Sequence, residues 1–165
     1  MIARLCVLSL LSVIAGCANP SAKSVPARAT PFDEAHTAIA EAASGAKVSY
    51  LKFQTPCFSC RKASLRPDDV LPEGVIKPLN SRESEQLKVL FVERTSYIAE
   101  LSKPCPPIAP EGAFLMENNT HRVLLLLFPH CKTLRVITDD RMNYNILNID
   151  PRFEELVSIL RGAAL

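Results

Sequence analysis

Residues 122–128 read Arg-Val-Leu-Leu-Leu-Leu-Phe, six apolar side chains in succession after one arginine. Side chains of a strand point alternately to its two faces, so a half-solvated strand alternates apolar with polar residues. An unbroken apolar run of this length, stopped by Pro129, predicts an interior strand covered on both faces. Few architectures supply such cover, and the neighbouring segments must provide it. Ala113–Glu117 precedes the run, separated by Asn118-Asn119, residues that tolerate the positive φ of a hairpin turn. His121 falls at the strand's start and His130 in the turn that follows it. Thr133–Thr138 reads as the next strand, Asp139-Asp140-Arg141 as a turn, and Asn143–Asn148 as a further strand. Lys47–Phe53 is an earlier strand.

Helices flank this meander. Thr30 is an N-cap ahead of Pro31, Asp33 stands three residues on, and Gly45 offers a left-handed stop, which predicts a helix with a thin apolar face of Phe32, Ala35, Ile39 and Ala42. Asn80 and Glu83 form a second capping pair. The stripe Leu87, Leu90, Phe91, Tyr97, Ile98 and Leu101 keeps helical spacing after it, with Thr95-Ser96 as the weak point where the helix either continues or has already ended near Glu93. Asp150-Pro151 opens a last helix carrying Phe153, Leu156, Val157 and Leu160 and ended by Gly162. Between Gln54 and Leu79, Pro56, Pro67, Pro72 and Pro78 predict a long ordered loop with one short strand at most. The expected fold is therefore α+β: an antiparallel meander of four to five strands, with N-terminal, central and C-terminal helices packed on one of its faces.

The N-terminus has a different character. Arg4 precedes "LCVLSLLSVI", an apolar run of about ten residues, and small Ala15 and Gly16 follow, the three-part layout of an export signal. A membrane span needs roughly twenty apolar residues. Ile14-Ala15-Gly16-Cys17 resembles the lipobox of bacterial lipoproteins. The resemblance covers residues 1–17 alone, and it implies diacylation of the Cys17 thiol, cleavage after Gly16 and acylation of the new amino terminus. Two or more acyl chains, at about 0.8 kcal/mol per buried methylene, hold a protein firmly to a bilayer. Ala18 is not the Asp of the usual inner-membrane retention signal, so the resemblance favours the outer membrane over the inner, with the domain in the periplasm or at the cell surface. Residues 18–29, rich in Ala, Ser and Pro, read as a tether. The organisation expected is a signal peptide over 1–16, a flexible tether over 17–29 and a single domain over 30–165.

An exported chain meets an oxidising compartment, where cysteines pair. Cys6 leaves with the signal and Cys17 takes lipid, which leaves Cys57, Cys60, Cys105 and Cys131. Four cysteines allow three connectivities. Cys57–Cys60 with Cys105–Cys131 is favoured over the crossed pairings, the second bridge closing a loop of about 25 residues worth roughly 3 kcal/mol in the chain-entropy model. Two sharper chemistries compete with structural cystines. Cys57-Phe58-Ser59-Cys60 has the spacing of a thiol-redox pair, but little helix is available before Pro67. Zinc would take Cys57, Cys60 and Cys105, with Cys131 or His130 as the fourth ligand. Arg61 stands where haem attachment needs His.

Nothing else assembles into a reaction. His36, His121 and His130 sit in no local catalytic pattern, although His130 beside Cys131 would lower the pKa of a free thiol. Asp68-Asp69 and Asp139-Asp140 read as turns, and Glu154-Glu155 as the first turn of a helix. A net charge of +2 with no basic run longer than Arg61-Lys62 leaves no footprint for nucleic acid. The expectation is a lipid-anchored envelope protein that binds or supports another envelope component, of inhibitor or immunity type among the possibilities, without catalysis and with no cofactor. The alternative is a periplasmic thiol-redox or zinc-binding protein working through Cys57 and Cys60.

Overall fold

A computed structural model describes residues 30–62, 64–98, 109–139 and 143–162. The chain runs α1 (Pro31–Ala43), β1 (Lys47–Phe53), α2 (Pro67–Val70), β2 (Gly74–Pro78), α3 (Ser81–Val92), β3 (Gly112–Glu117), β4 (Arg122–Phe128), β5 (Thr133–Thr138), β6 (Asn143–Asn148) and α4 (Phe153–Gly162), with short 3-10 turns between several of them. The six strands form one sheet in the order β2-β1-β3-β4-β5-β6, every neighbouring pair antiparallel. The class is α+β, with six strands where four to five were expected. The additional strand, β2, lies in the proline-rich stretch and ends on Pro78, tolerated because β2 is an edge strand.

β4 sits inside the sheet, and its apolar run is divided between two cores. Val123, Leu125 and Leu127 face α1, α3 and α4, joining Ile39, Leu87, Leu90, Phe91, Leu156 and Ile159 in one cluster. Leu124, Leu126 and Phe128 face the other way, into a second cluster with Leu51, Phe53, Leu115 and Ile137. The cover of that second face is the 54–73 excursion, through Cys57, Cys60, Leu65 and Val70, with Cys131 beside them. The three long helices thus occupy one face, and the segment expected to be a loop closes the other. Pro67 opens α2 inside that segment, and the Asp69 carboxylate accepts from the Arg66 N–H at 2.8 Å. Arg122 then clamps α2 to the sheet, giving hydrogen bonds of 2.8 and 3.1 Å to the two oxygens of Asp68 and others to Asp139, the shortest 2.6 Å.

α3 stops at Val92. Glu93 turns to an extended conformation, a 3-10 turn covers Arg94–Ser96, and Tyr97 and Ile98 leave the stripe that sequence spacing gave them. Tyr97 is buried all the same. Its hydroxyl donates to the Phe91 carbonyl at 2.7 Å, and burial pushes its phenol pKa well above the usual value. Ile98 instead makes an antiparallel bridge to Asn148, extending the sheet beyond β6. Leu101 lies outside the described residues. His36 of α1 donates from Nε2 to the Val92 carbonyl at 2.7 Å, serving a carbonyl that the end of α3 leaves open.

The hairpin between β3 and β4 has no positive φ at Asn118 or Asn119. Among the described non-glycine residues only Lys132, φ 53°, is left-handed. The four-residue loop 118–121 is closed instead by the Asn118 side chain, and His121 belongs to this loop and not to β4. Gly45, φ 68°, does end α1 in the left-handed conformation.

The cap of α1 carries a pH prediction. Thr30 Oγ1 donates to Asp33 at 2.6 Å and Arg94 reaches the same carboxylate at 2.7 Å, which together hold its pKa down at about 2. A carboxylate depressed in the folded state contributes stability that is present above its unfolded value, about 3.9, and is lost as pH falls through about 2. Carboxyl-detected NMR titration should place the Asp33 midpoint near 2. Thr30→Ala should raise it more than Arg94→Met, because the Thr30 hydroxyl is the larger cause. A wild-type midpoint near 4 would remove the cap from the stability of α1.

Candidate functional site

Cys57 and Cys60 are joined by a disulfide across 5.3 Å between their Cα atoms. A single 3-10 turn, Ser59–Arg61, follows the first of them. Ser59 Oγ donates to Glu73 at 2.6 Å, and Arg135 of β5 donates to the Cys60 carbonyl at 3.3 Å and the Lys62 carbonyl at 2.7 Å. Partial burial lowers the Arg135 pKa. Both cysteines are 2 % exposed or less, while Phe58 between them is 67 % exposed. The pair therefore pins the excursion onto the second core, with its sulfurs turned inward. Helix N-termini lower thiol pKa values, and access to a sulfur sets its exchange rate; here a three-residue 3-10 turn follows Cys57 and both cysteines are buried.

Cys131 is also disulfide-bonded and lies in the same apolar cluster. Cys105, and Cys17 of the lipobox, lie outside the described residues. With its sulfur in a disulfide, Cys131 offers no thiol for neighbouring His130 to activate, and His130 instead sits exposed with Nε2 at 3.2 Å from Glu111. Among the described residues no group of three or more His, Cys, Asp or Glu side chains is placed to hold a metal ion.

A concave feature lies elsewhere. α1 turns Ala35, Ile39 and Ala42 to the core, which leaves Asp33, Glu34, Thr37, Ala38 and Glu41 on its outer side. Facing them are the start of β4 and the end of β5, and between the two is a groove of about 500 Å3 floored by Ala38 and Val123. A second hollow of about 510 Å3 continues it over the hairpin loop toward Ser44 and Gly45, and the two share Glu41, Thr120 and His121. Arg122 is the one guanidinium of the lining and is held between the Asp68 and Asp139 carboxylates, which push its pKa up. Asp33 is engaged by Thr30 and Arg94, whereas among the described residues the Glu41 carboxylate meets only His121 Nε2, at 3.7 Å.

No family model, no curated protein and no solved structure matches the chain. The groove must therefore be read from its own chemistry. Thr120, His121 and Glu41 stand in the order hydroxyl, imidazole, carboxylate, with Thr120 Oγ1 at 2.8 Å from His121 Nδ1. The arrangement falls short of a nucleophile relay on two counts. The imidazole–carboxylate distance exceeds hydrogen-bond length, and the Thr120 hydroxyl is shared between His121 Nδ1 at 2.8 Å and Asn118 Oδ1 at 3.1 Å. What remains is an open, charged trough suited to binding. Sequence reasoning noticed His121, Arg122 and Asp139 singly, but Glu34 and Glu41 gave no signal beyond lying opposite the apolar stripe of α1.

Proposed function

We propose that the chain is a bacterial envelope lipoprotein, anchored through lipid on Cys17, whose folded domain acts by binding an envelope component and performs no catalysis. The observation that carries the anchor is Ile14-Ala15-Gly16-Cys17 directly after an apolar run of signal length. Support for binding comes from the trough between α1 and the β4–β5 end, together with buried cystine sulfurs that present no nucleophile. Three acyl chains would hold the domain firmly, an Ala in place of the Asp retention signal at position 18 favours the outer membrane over the inner, and residues 18–29 would let the domain stand off the bilayer.

Expression of the full chain in a bacterial host fed alkyne-palmitate tests the anchor. Wild type should incorporate label, begin at an acylated Cys17 by mass spectrometry, and leave membranes only with detergent. Cys17→Ser should lose the label completely and retain residues 1–16. An unlabelled wild-type chain with an intact Met1, or a cytosolic pool, would overturn the assignment.

A further inference from the structure

We propose that the α1–β4 groove is the docking site for a basic, extended segment of a partner protein. The inference rests on the binding function proposed above and names its ligand chemistry. Of the four carboxylates in the groove's lining, Arg94 holds Asp33 and Arg122 holds Asp139, which leaves Glu34 and Glu41 with no guanidinium among the described residues. Arg122 already lies between two carboxylates, so an anionic ligand would meet no cation that is not already paired. A cation meets Glu34 at one end and Glu41 at the other. Residues seven apart on a helix are separated by about 10.5 Å along its axis, too far for one ion to bridge, and no three acids converge among the described residues. A small amine would fill one hollow and leave the other empty.

An extended chain fits both. It advances about 3.3 Å per residue, so basic residues about three positions apart would reach Glu34 and Glu41 together. Lys and Arg carry long apolar stems under their charged heads. Those stems would lie on partly buried Ala38, while the heads meet the carboxylates of the rim. Such complementarity steers association and is weakened by salt.

The test is fluorescence anisotropy with the full acylated chain in nonionic detergent. The probe is a fluorescein-labelled Gly-Ser nonapeptide with Lys at its third and sixth positions, and the control has Glu at both. The Lys peptide should bind and the Glu peptide should not. Glu34→Gln with Glu41→Gln should weaken binding at least tenfold, as should raising salt from about 20 to 300 mM, whereas Glu154→Gln on α4 should change it less than twofold. Absence of Lys-peptide binding, equal binding of both peptides, or equal loss with Glu154→Gln would overturn the proposal. So would self-association in sedimentation that the Glu34/Glu41 pair abolishes, since the occupant would then be a second copy. Palmitate labelling of Cys17 is read separately on the same samples, so failure of the groove and failure of the anchor are distinguishable.

Discussion

Leu124→Ala and Leu125→Ala should each destabilise the domain by about 3 kcal/mol or more, although their side chains leave β4 in opposite directions. Both residues are fully buried, Leu124 beneath the disulfide excursion and Leu125 beneath the helices. In a sheet with one solvated face, one member of any consecutive pair is exposed and its truncation is nearly neutral. Here both leave a cavity in a packed interior, and neither core has spare mobility to fill it. Domains of this size are stable by roughly 5–15 kcal/mol in total, so either substitution removes a large share. Guanidinium denaturation followed by circular dichroism measures both. A near-neutral Leu124→Ala beside a damaging Leu125→Ala would mean that residues 54–73 do not seal the second face.

Asn118→Asp should be more destabilising at neutral pH than Asn118→Ala, despite being nearly isosteric. The Asn118 side chain joins two elements that are distant in sequence. Its Nδ2 donates toward the carbonyls of Glu41, Ala42 and Ser44 at 2.9, 3.1 and 3.0 Å, and its Oδ1 accepts from the Thr120 and His121 N–H groups at 2.9 and 2.8 Å. The carbonyls at the end of a helix lack intrahelical partners and form its negative pole. α1 has no basic residue in its last turn, so the amide of Asn118 supplies the donors. Alanine loses these bonds where water reaches some of the groups, at a cost of about 2 kcal/mol. Aspartate adds a charge facing three carbonyl oxygens.

The pH dependence has a definite sign. The carboxylate introduced by Asn118→Asp would be disfavoured in the folded state, so its folded pKa would rise above the unfolded value of about 3.9. The penalty is then full above the folded pKa and disappears below the unfolded one. Stability measured from pH 7 to 3 should show the gap between variant and wild type narrowing toward the acid end, down to the loss of the amide donors. A variant as stable as wild type at pH 7 would reverse the assigned orientation of the Asn118 amide.

The legible parts of this fold are those whose cause lies within a few residues. Thr30 with Asp33 and Asn80 with Glu83 each close a capping box across three positions, and both helices start where those residues stand. The 122–128 run demands cover on both faces whatever surrounds it. The stop of α3 was less legible, because Tyr97 and Ile98 keep helical spacing while being placed by other bonds, Tyr97 buried with its hydroxyl on Phe91 and Ile98 exposed and paired with Asn148. For the groove, its walls come from α1, the β3–β4 loop and the end of β5, and no local pattern announces that these meet.

The order of residues is enough to dictate an α+β chain, the starts of α1 and α3, its meander and a strand too apolar to touch water. By contrast, α2 forms in the stretch expected to be a loop, and α4 starts at Phe153, after a 3-10 turn over Asp150–Arg152. Which segment covers that strand's second face, and which acids end up across from one another, is settled only when the elements pack. Caps and turns are bonds between near neighbours along the chain. The clamp of Arg122 on Asp68, the hold of Asn118 on α1 and the lid of Cys57 and Cys60 on β4 join residues more than fifty positions apart. Contacts at that range are selected by how whole elements fit together, and no short stretch of residues encodes them.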